Sequence, residues 1–145
     1  MFNSKANKNL GKSVESFETI IGASLRVDGN LLLRNSVRID GVVNGNILQD
    51  DEHEATVAIA KGATVTGDIR AKHVIVSGIL RGNIFSSDRV ELLETAFVTG
   101  DITYGSLGTQ VGARIDGKLR QADSDSSTHT AEALIAQAMQ KSPAA

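Results

Sequence analysis

The sequence predicts an all-β fold, a parallel β-helix of about six rungs, and three observations carry the prediction. A five-residue motif, apolar-x-Gly-x-apolar, recurs six times between residues 27 and 119. The stretches around it alternate apolar and polar residues with period two, which is the mark of strand. The apolar volume comes from Val, Ile and Leu, with only four Phe, one Tyr and no Trp in 145 residues. Such side chains suit pleated, half-buried surfaces.

Taken in order, the motif occurs as Val27-Asp28-Gly29-Asn30-Leu31, Val43-Asn44-Gly45-Asn46-Ile47 and Val65-Thr66-Gly67-Asp68-Ile69. It returns as Leu80-Arg81-Gly82-Asn83-Ile84, Val98-Thr99-Gly100-Asp101-Ile102 and Ile115-Asp116-Gly117-Lys118-Leu119. Successive starts lie 16, 22, 15, 18 and 17 residues apart. The long interval holds the charged residues 49–54, which read as a surface loop. A second apolar pair precedes four of the motifs: Val37 and Ile39, Val57 and Ile59, Val74 and Val76, Val90 and Leu92. It leads its motif by six or eight residues. In the six-residue cases Val37, Ile39, Gly41, Val43, Gly45 and Ile47 fall on one parity, as do Val74, Val76, Gly78, Leu80, Gly82 and Ile84, with mainly polar residues between them.

A unit this short cannot hold a βαβ crossover, a propeller blade or a helical repeat. A coil with three short strands per turn fits, its turns stacked so that strands pair in parallel above and below. The glycines relieve the bends, where positive φ is needed, or make room in a narrow core. At a strand spacing of roughly 4.8 Å, six rungs give a rod on the order of 25–30 Å long. A β-sandwich is the alternative reading of many short strands; the constancy of the period argues against it.

The coil occupies residues 18–120. Residues 1–17 and 121–145 are polar and irregular and are expected to be flexible tails. Residues 130–141 are rich in helix formers, though an isolated helix of that length is marginal in water.

Composition narrows the function. The net charge is −2 with no basic stripe, which argues against nucleic acid as a partner. There is no Cys, so disulfides, thiol catalysis and thiolate metal sites are excluded. No apolar run is long enough to span a bilayer, and residues 1–12 lack a secretory hydrophobic region. A cytoplasmic location is expected.

No catalytic, cofactor-binding or metal-binding residue emerges, and no cofactor is expected. A left-handed β-helix acyltransferase is the nearest enzyme alternative, but its six-residue register fails here. Such enzymes also need a His as general base. His73 is the only His in the regular body and sits on the outward parity. His53 lies among Asp50, Asp51, Glu52 and Glu54, a set that could attract a hard cation and otherwise reads as a solvated loop. His129 lies in the tail. A sugar-cleaving β-helix would need an aromatic cleft, and the glycines do not sit between a strand and a helix as a phosphate loop requires.

What remains is self-association. A coil of stacked rungs has two ends, each with unpaired backbone groups and an apolar cross-section. Solenoids that stay monomeric carry polar caps, and none is evident in the sequence. The candidate polymerisation residues are therefore Ile21, Leu25 and Val27 at one end and Leu107, Val111, Ile115 and Leu119 at the other. A capped β-helix acting as a binding module is the second alternative.

Residues 18–120 resemble a bactofilin domain. The resemblance rests on Thr19-Ile20-Ile21-Gly22, on Leu31-Leu32-Leu33, on the ordered Val-x-Gly-x-Ile units, and on short polar tails around the repeat. It implies a right-handed helix of triangular section, filaments formed through the helix ends without nucleotide, and a scaffolding role in bacterial shape, polarity or cell-wall synthesis. It also implies a membrane-binding N-terminal segment, matched here by Phe2, Lys5, Lys8, Leu10 and Lys12. Phe2 would enter the lipid interface while each lysine near anionic headgroups contributes about 1 kcal/mol. A polymer would multiply that weak contact by avidity. The partners expected are the protein itself, the cytoplasmic face of the inner membrane, and cell-wall or polarity proteins.

Overall fold

A computed structural model describes residues 17–122, and they form an all-β parallel solenoid of six turns. The first rung is β1 (Thr19–Ile21), β2 (Arg26–Asp28) and β3 (Leu31–Leu33). The second is β4 (Val37–Ile39), β5 (Val42–Asn44) and β6 (Ile47–Gln49). The third is β7 (Thr56–Ile59), β8 (Thr64–Thr66) and the first part of β9 (Ile69–Val76). β9 turns the corner and opens the fourth rung, which continues through β10 (Ile79–Arg81) into β11 (Ile84–Leu92). The second part of β11 joins β12 (Phe97–Thr99) and β13 (Ile102–Tyr104) in the fifth. The sixth is β14 (Ser106–Thr109), β15 (Arg114–Asp116) and β16 (Leu119–Gln121).

The coil has three faces, each a parallel stack. The first carries β1, β4, β7, the second halves of β9 and β11, and β14. The second carries β2, β5, β8, β10, β12 and β15. The third carries β3, β6, the first halves of β9 and β11, β13 and β16. The registers reproduce the sequence repeat. Val27, Val43, Val65, Leu80, Val98 and Ile115 pair in order up the second face. Leu31, Ile47, Ile69, Ile84, Ile102 and Leu119 do so on the third. The core is the set of these inward ladders, with the interior positions of both stacks fully buried.

The six-versus-eight spacing has a physical cause at the corner between the first and second faces. Eight-residue rungs close it with a four-residue turn, as in Ala63 N–H to Ala60 O (3.0 Å) and Ala96 N–H to Leu93 O (2.9 Å). Six-residue rungs close it with a single buried glycine, Gly41 or Gly78. A β-carbon on Gly78 would press on the carbonyls of Ala60 and Ala63 in the turn of the rung before. Tight rungs thus nest under wide ones.

At the corner between the second and third faces stands a column of glycines, one per rung, with φ between +144° and +158°. From Gly45 onward, a β-carbon on any of them would collide with the carbonyl of the glycine in the rung before. Both roles expected of glycine, the unusual φ and the close approach, fall on the same residues.

Candidate functional site

The residue after each corner glycine builds a second column. Asn30 Oδ1 accepts from the amide of Asn46 (2.8 Å), Asn46 Oδ1 from Asp68 (2.9 Å) and Asp68 Oδ1 from Asn83 (3.0 Å). Asn83 Oδ1 accepts from Asp101 (2.9 Å), and Asp101 Oδ1 from Lys118 (3.0 Å). These bonds satisfy amides that the strand ladder leaves free at the bend. The column stops at Lys118, whose ammonium donates and cannot accept.

Backbone bonding is equally directional. Gly29 N–H reaches Asn44 O and Leu31 N–H reaches Asn46 O, each at 2.9 Å, and the pattern repeats to Gly100 with Asp116 and Ile102 with Lys118. By the same geometry the amides of Gly117 and Leu119 point off the last rung, and the carbonyls of Asp28 and Asn30 point off the first.

The core is cut open at the same places. On the third face Ile102 is fully buried, while Leu119, next in its ladder, is 46% exposed. On the second face Val27 and Ile115 are only half-buried, whereas the four residues between them are fully buried. Leu107 is half-buried. Ile21, by contrast, is almost wholly covered within the first rung. Leu25 and Val111 stand on the corner turns of the terminal rungs, outside the ladders; Leu25 is exposed and Val111 is 98% exposed. The structure thus gathers the seven sequence-predicted residues at two ends, with Val27, Leu107, Ile115 and Leu119 forming the cut cross-sections. Phe2, Lys5, Lys8, Leu10 and Lys12 lie outside the described residues, as do residues 130–141 and His129.

Several other polar groups brace the coil. His73 is half-buried on the outward side, with Nε2 2.8 Å from Asp88 Oδ2. The acidic insertion folds on itself. The Glu52 amide donates to Asp50 Oδ1 (3.1 Å), and this bond chiefly holds the Asp50 carboxyl below its ordinary pKa, with His53 and Arg34 assisting. Gln49, at the edge of that segment, is a brace: its Oε1 accepts from the amides of Ala55 (2.7 Å) and Lys72 (2.8 Å), bridging the gap the insertion opens. Ser86 is buried at the β11 bend, where its hydroxyl donates to Lys72 O (2.6 Å). Among the described residues, no group of three or more His, Cys, Asp or Glu is placed to hold a metal. No helix among them is long and apolar enough to cross a membrane.

The family profile of bactofilin, described as polymer-forming cytoskeletal, matches residues 19–120. The chain belongs to the bactofilin family. Over 101 residues it is 31% identical to bactofilin BacO of Myxococcus xanthus strain DK1622, covering 70% of this chain and 77% of BacO. Over 116 residues it is 27% identical to bactofilin BacP of the same organism, covering 80% of this chain and 47% of BacP. The chain therefore spans about half the length of BacP. No solved structure gives a significant match. This bactofilin is accordingly a polymer-forming cytoskeletal protein, of a family that is structural.

Proposed function

We propose that this bactofilin assembles end to end, without nucleotide, into filaments that scaffold cell shape, polarity or cell-wall machinery at the cytoplasmic face of the inner membrane, and that it performs no catalysis. The observation that carries the assembly step is the contrast within single ladders. Residues fully buried in the interior have counterparts in the terminal rungs that are half-buried or exposed, flanked by backbone groups without a partner among the described residues. A second copy stacked on either end would bury that surface at about 25 cal/mol per Å2 of apolar area and pair the free amides and carbonyls.

The test is negative-stain electron microscopy of the purified protein without nucleotide or divalent metal. Long, thin, uniform filaments are expected. Leu119→Asp places a charge on the cut face and should abolish them while leaving the β signal in circular dichroism intact. Monomers from the wild-type chain across salt and concentration would favour a capped β-helix that binds a ligand.

Membrane attachment through Phe2, Lys5, Lys8, Leu10 and Lys12 rests on their lipid-compatible chemistry and on the family. Deleting residues 2–12 should leave filaments intact and remove their co-sedimentation with anionic vesicles. Unchanged co-sedimentation would overturn the assignment.

A further inference from the structure

The third face carries a stripe that neither the core nor the ends use. Its outward ladder reads Leu32, Leu48, Arg70, Phe85, Thr103 and Arg120, one residue per rung from the first to the sixth. Leu32 is 69% exposed, and Leu48 and Phe85 are exposed as well. The Arg70 guanidinium lies 6.0 Å from the Phe85 ring centroid, over its face. An open hollow of about 530 Å3 lies beside Leu32 and Leu48 and is bordered by Asp51 and Glu52. Exposed apolar side chains aligned in this way mark an interaction surface, and an aromatic ring with arginines beside it is the composition that protein interfaces favour.

The charges on this face point to the occupant. Among the described residues, Arg70, Arg120, Asp51 and Glu52 take part in no ion pair. The two acids border the hollow beside Leu48, in the second rung, and Arg120 stands in the sixth. Four rungs separate them, roughly 19 Å at the usual strand spacing. One face thus holds both halves of an ion pair that cannot close within its own coil. A second copy of the same face, turned end for end, brings them together.

We infer that the third face pairs side by side with the third face of a second copy whose rungs run the opposite way, about a two-fold axis at Phe85. Phe85 then meets its own counterpart. Arg70, one rung before it, faces Thr103 of the other copy, one rung after. Leu48, two rungs before, faces Arg120 of the other copy, two rungs after. The stem of that Arg120 lies on Leu48, and its guanidinium enters the hollow beside Asp51 and Glu52. Each contact occurs twice, as in any isologous interface. The same-direction arrangement would instead set Arg70 on Arg70 and Arg120 on Arg120, which is repulsive. Packed sheets stand about 10 Å apart, a gap that the outward side chains of both faces fill. Three apolar residues per copy make a small contact beside the roughly 1,200–2,000 Å2 of a standard interface. A filament presents the stripe once per copy, so many weak contacts act together. The stripe runs along the side of the coil, so the pairing does not depend on end-to-end assembly.

The absence of cysteine makes the test direct. Full-length copies carrying Arg70→Cys are mixed with copies carrying Thr103→Cys and treated with a short bis-maleimide. The control mixes Arg70→Cys with Thr66→Cys, an exposed position on the second face. Arg70 is exposed and Thr103 half-buried beside an open hollow, so folding should be retained, and circular dichroism checks it. Mass spectrometry tells the mixed product from products that join two identical copies. The mixed product is expected well above the control and above both identical-copy products, and adding Phe85→Glu to both partners should abolish it. Copies stacked end to end hold residues 70 and 103 at least four rungs apart, roughly 19 Å, beyond the reach of the linker. The product therefore reports lateral pairing alone, while electron microscopy of the same samples reports end-to-end assembly. A predominance of identical-copy products would mean that the rungs run in the same direction. A mixed product no higher than the control, or one that survives Phe85→Glu, would leave the stripe to another partner. Each of these results overturns the inference.

Discussion

Interior and terminal rungs are written in one repeating motif yet differ in every physical respect that matters. Ile84 and Leu119 occupy the same ladder on the third face, two rungs apart. Ile84 is roofed by Ile102 and floored by Ile69, and is fully buried; among the described residues Leu119 has a ladder neighbour on one side only, Ile102, and is exposed. The same holds for the polar column, where Asn83 donates its amide to one rung and accepts at its side chain from the next, while Lys118 only donates its amide. A side chain in this fold is therefore worth what its neighbours in adjacent rungs make it worth. The motif specifies a rung; position in the stack decides how much stability it contributes.

The sharpest way to break that comparison uses the glycine column. Ala at Gly82 would meet the carbonyl of Gly67 well inside van der Waals contact, whereas Ala at Gly29 meets nothing within 4 Å. Both positions have φ that favours glycine, +155° and +144°. Gly29→Ala should thus cost about 1–3 kcal/mol, the strain alone. Gly82→Ala should cost several kcal/mol more, comparable with the 5–15 kcal/mol on which a domain typically stands. Urea unfolding followed by circular dichroism checks both, and equal losses would refute the stacking account.

Truncation in the apolar ladder should give a smaller gap of the same sign. Ile84→Ala leaves a cavity and should lose about 2–5 kcal/mol. Leu119→Ala, already half in water, should lose less than about 1.5 kcal/mol when the protein is held below assembly concentration. The same measurement on assembled protein should raise the cost of Leu119→Ala toward the interior value.

The smallest effect concerns pH. Asp28 Oδ1 accepts from Asn44 Nδ2 (2.9 Å) and Arg26 Nε (3.1 Å), and these bonds, Asn44 first, lower its pKa. A carboxyl with a depressed folded pKa contributes stability that is present above its unfolded pKa and lost as pH falls through the folded one. The window therefore lies below about pH 4. In Asp28→Asn the drop in Tm between neutral and strongly acid pH should be slightly smaller than in wild type. Because Asp28 is exposed, an unchanged slope at high salt is also expected.

Much of this architecture was legible in the sequence, because the coil repeats. The six motifs, their intervals and the shared parity from Val37 to Ile47 fixed the number of rungs, the register and the inward face. Where the described rungs begin and end was legible for the same reason, since the repeat starts near Thr19 and stops near Leu119. Less visible were residues whose partners lie a rung away. The column Asn30, Asn46, Asp68, Asn83 and Asp101 was written at one fixed place in each motif, a signal that only the bend geometry turns into hydrogen bonds. Gln49 read as part of a charged loop and proves to be the brace beside it. Ser86 carries no signal in the repeat and is a buried hydroxyl that ties a corner. The outward stripe of Leu32, Leu48 and Phe85 is invisible to a parity argument, which separates inside from outside and says nothing about what aligns across rungs.

The two longest strands bear on how such a chain finds its shape. β9 and β11 run unbroken around a corner, and they pair with each other over seven positions in the middle of the stack. Every strand partner in the coil lies only 15 to 22 residues away along the chain. Loop closure over so short a distance is entropically mild, and nearest-neighbour contacts let order spread from any nucleus. The natural nucleus is this central pair, from which order would propagate outward one rung at a time, leaving the two ends as the last parts to form and the first to fray.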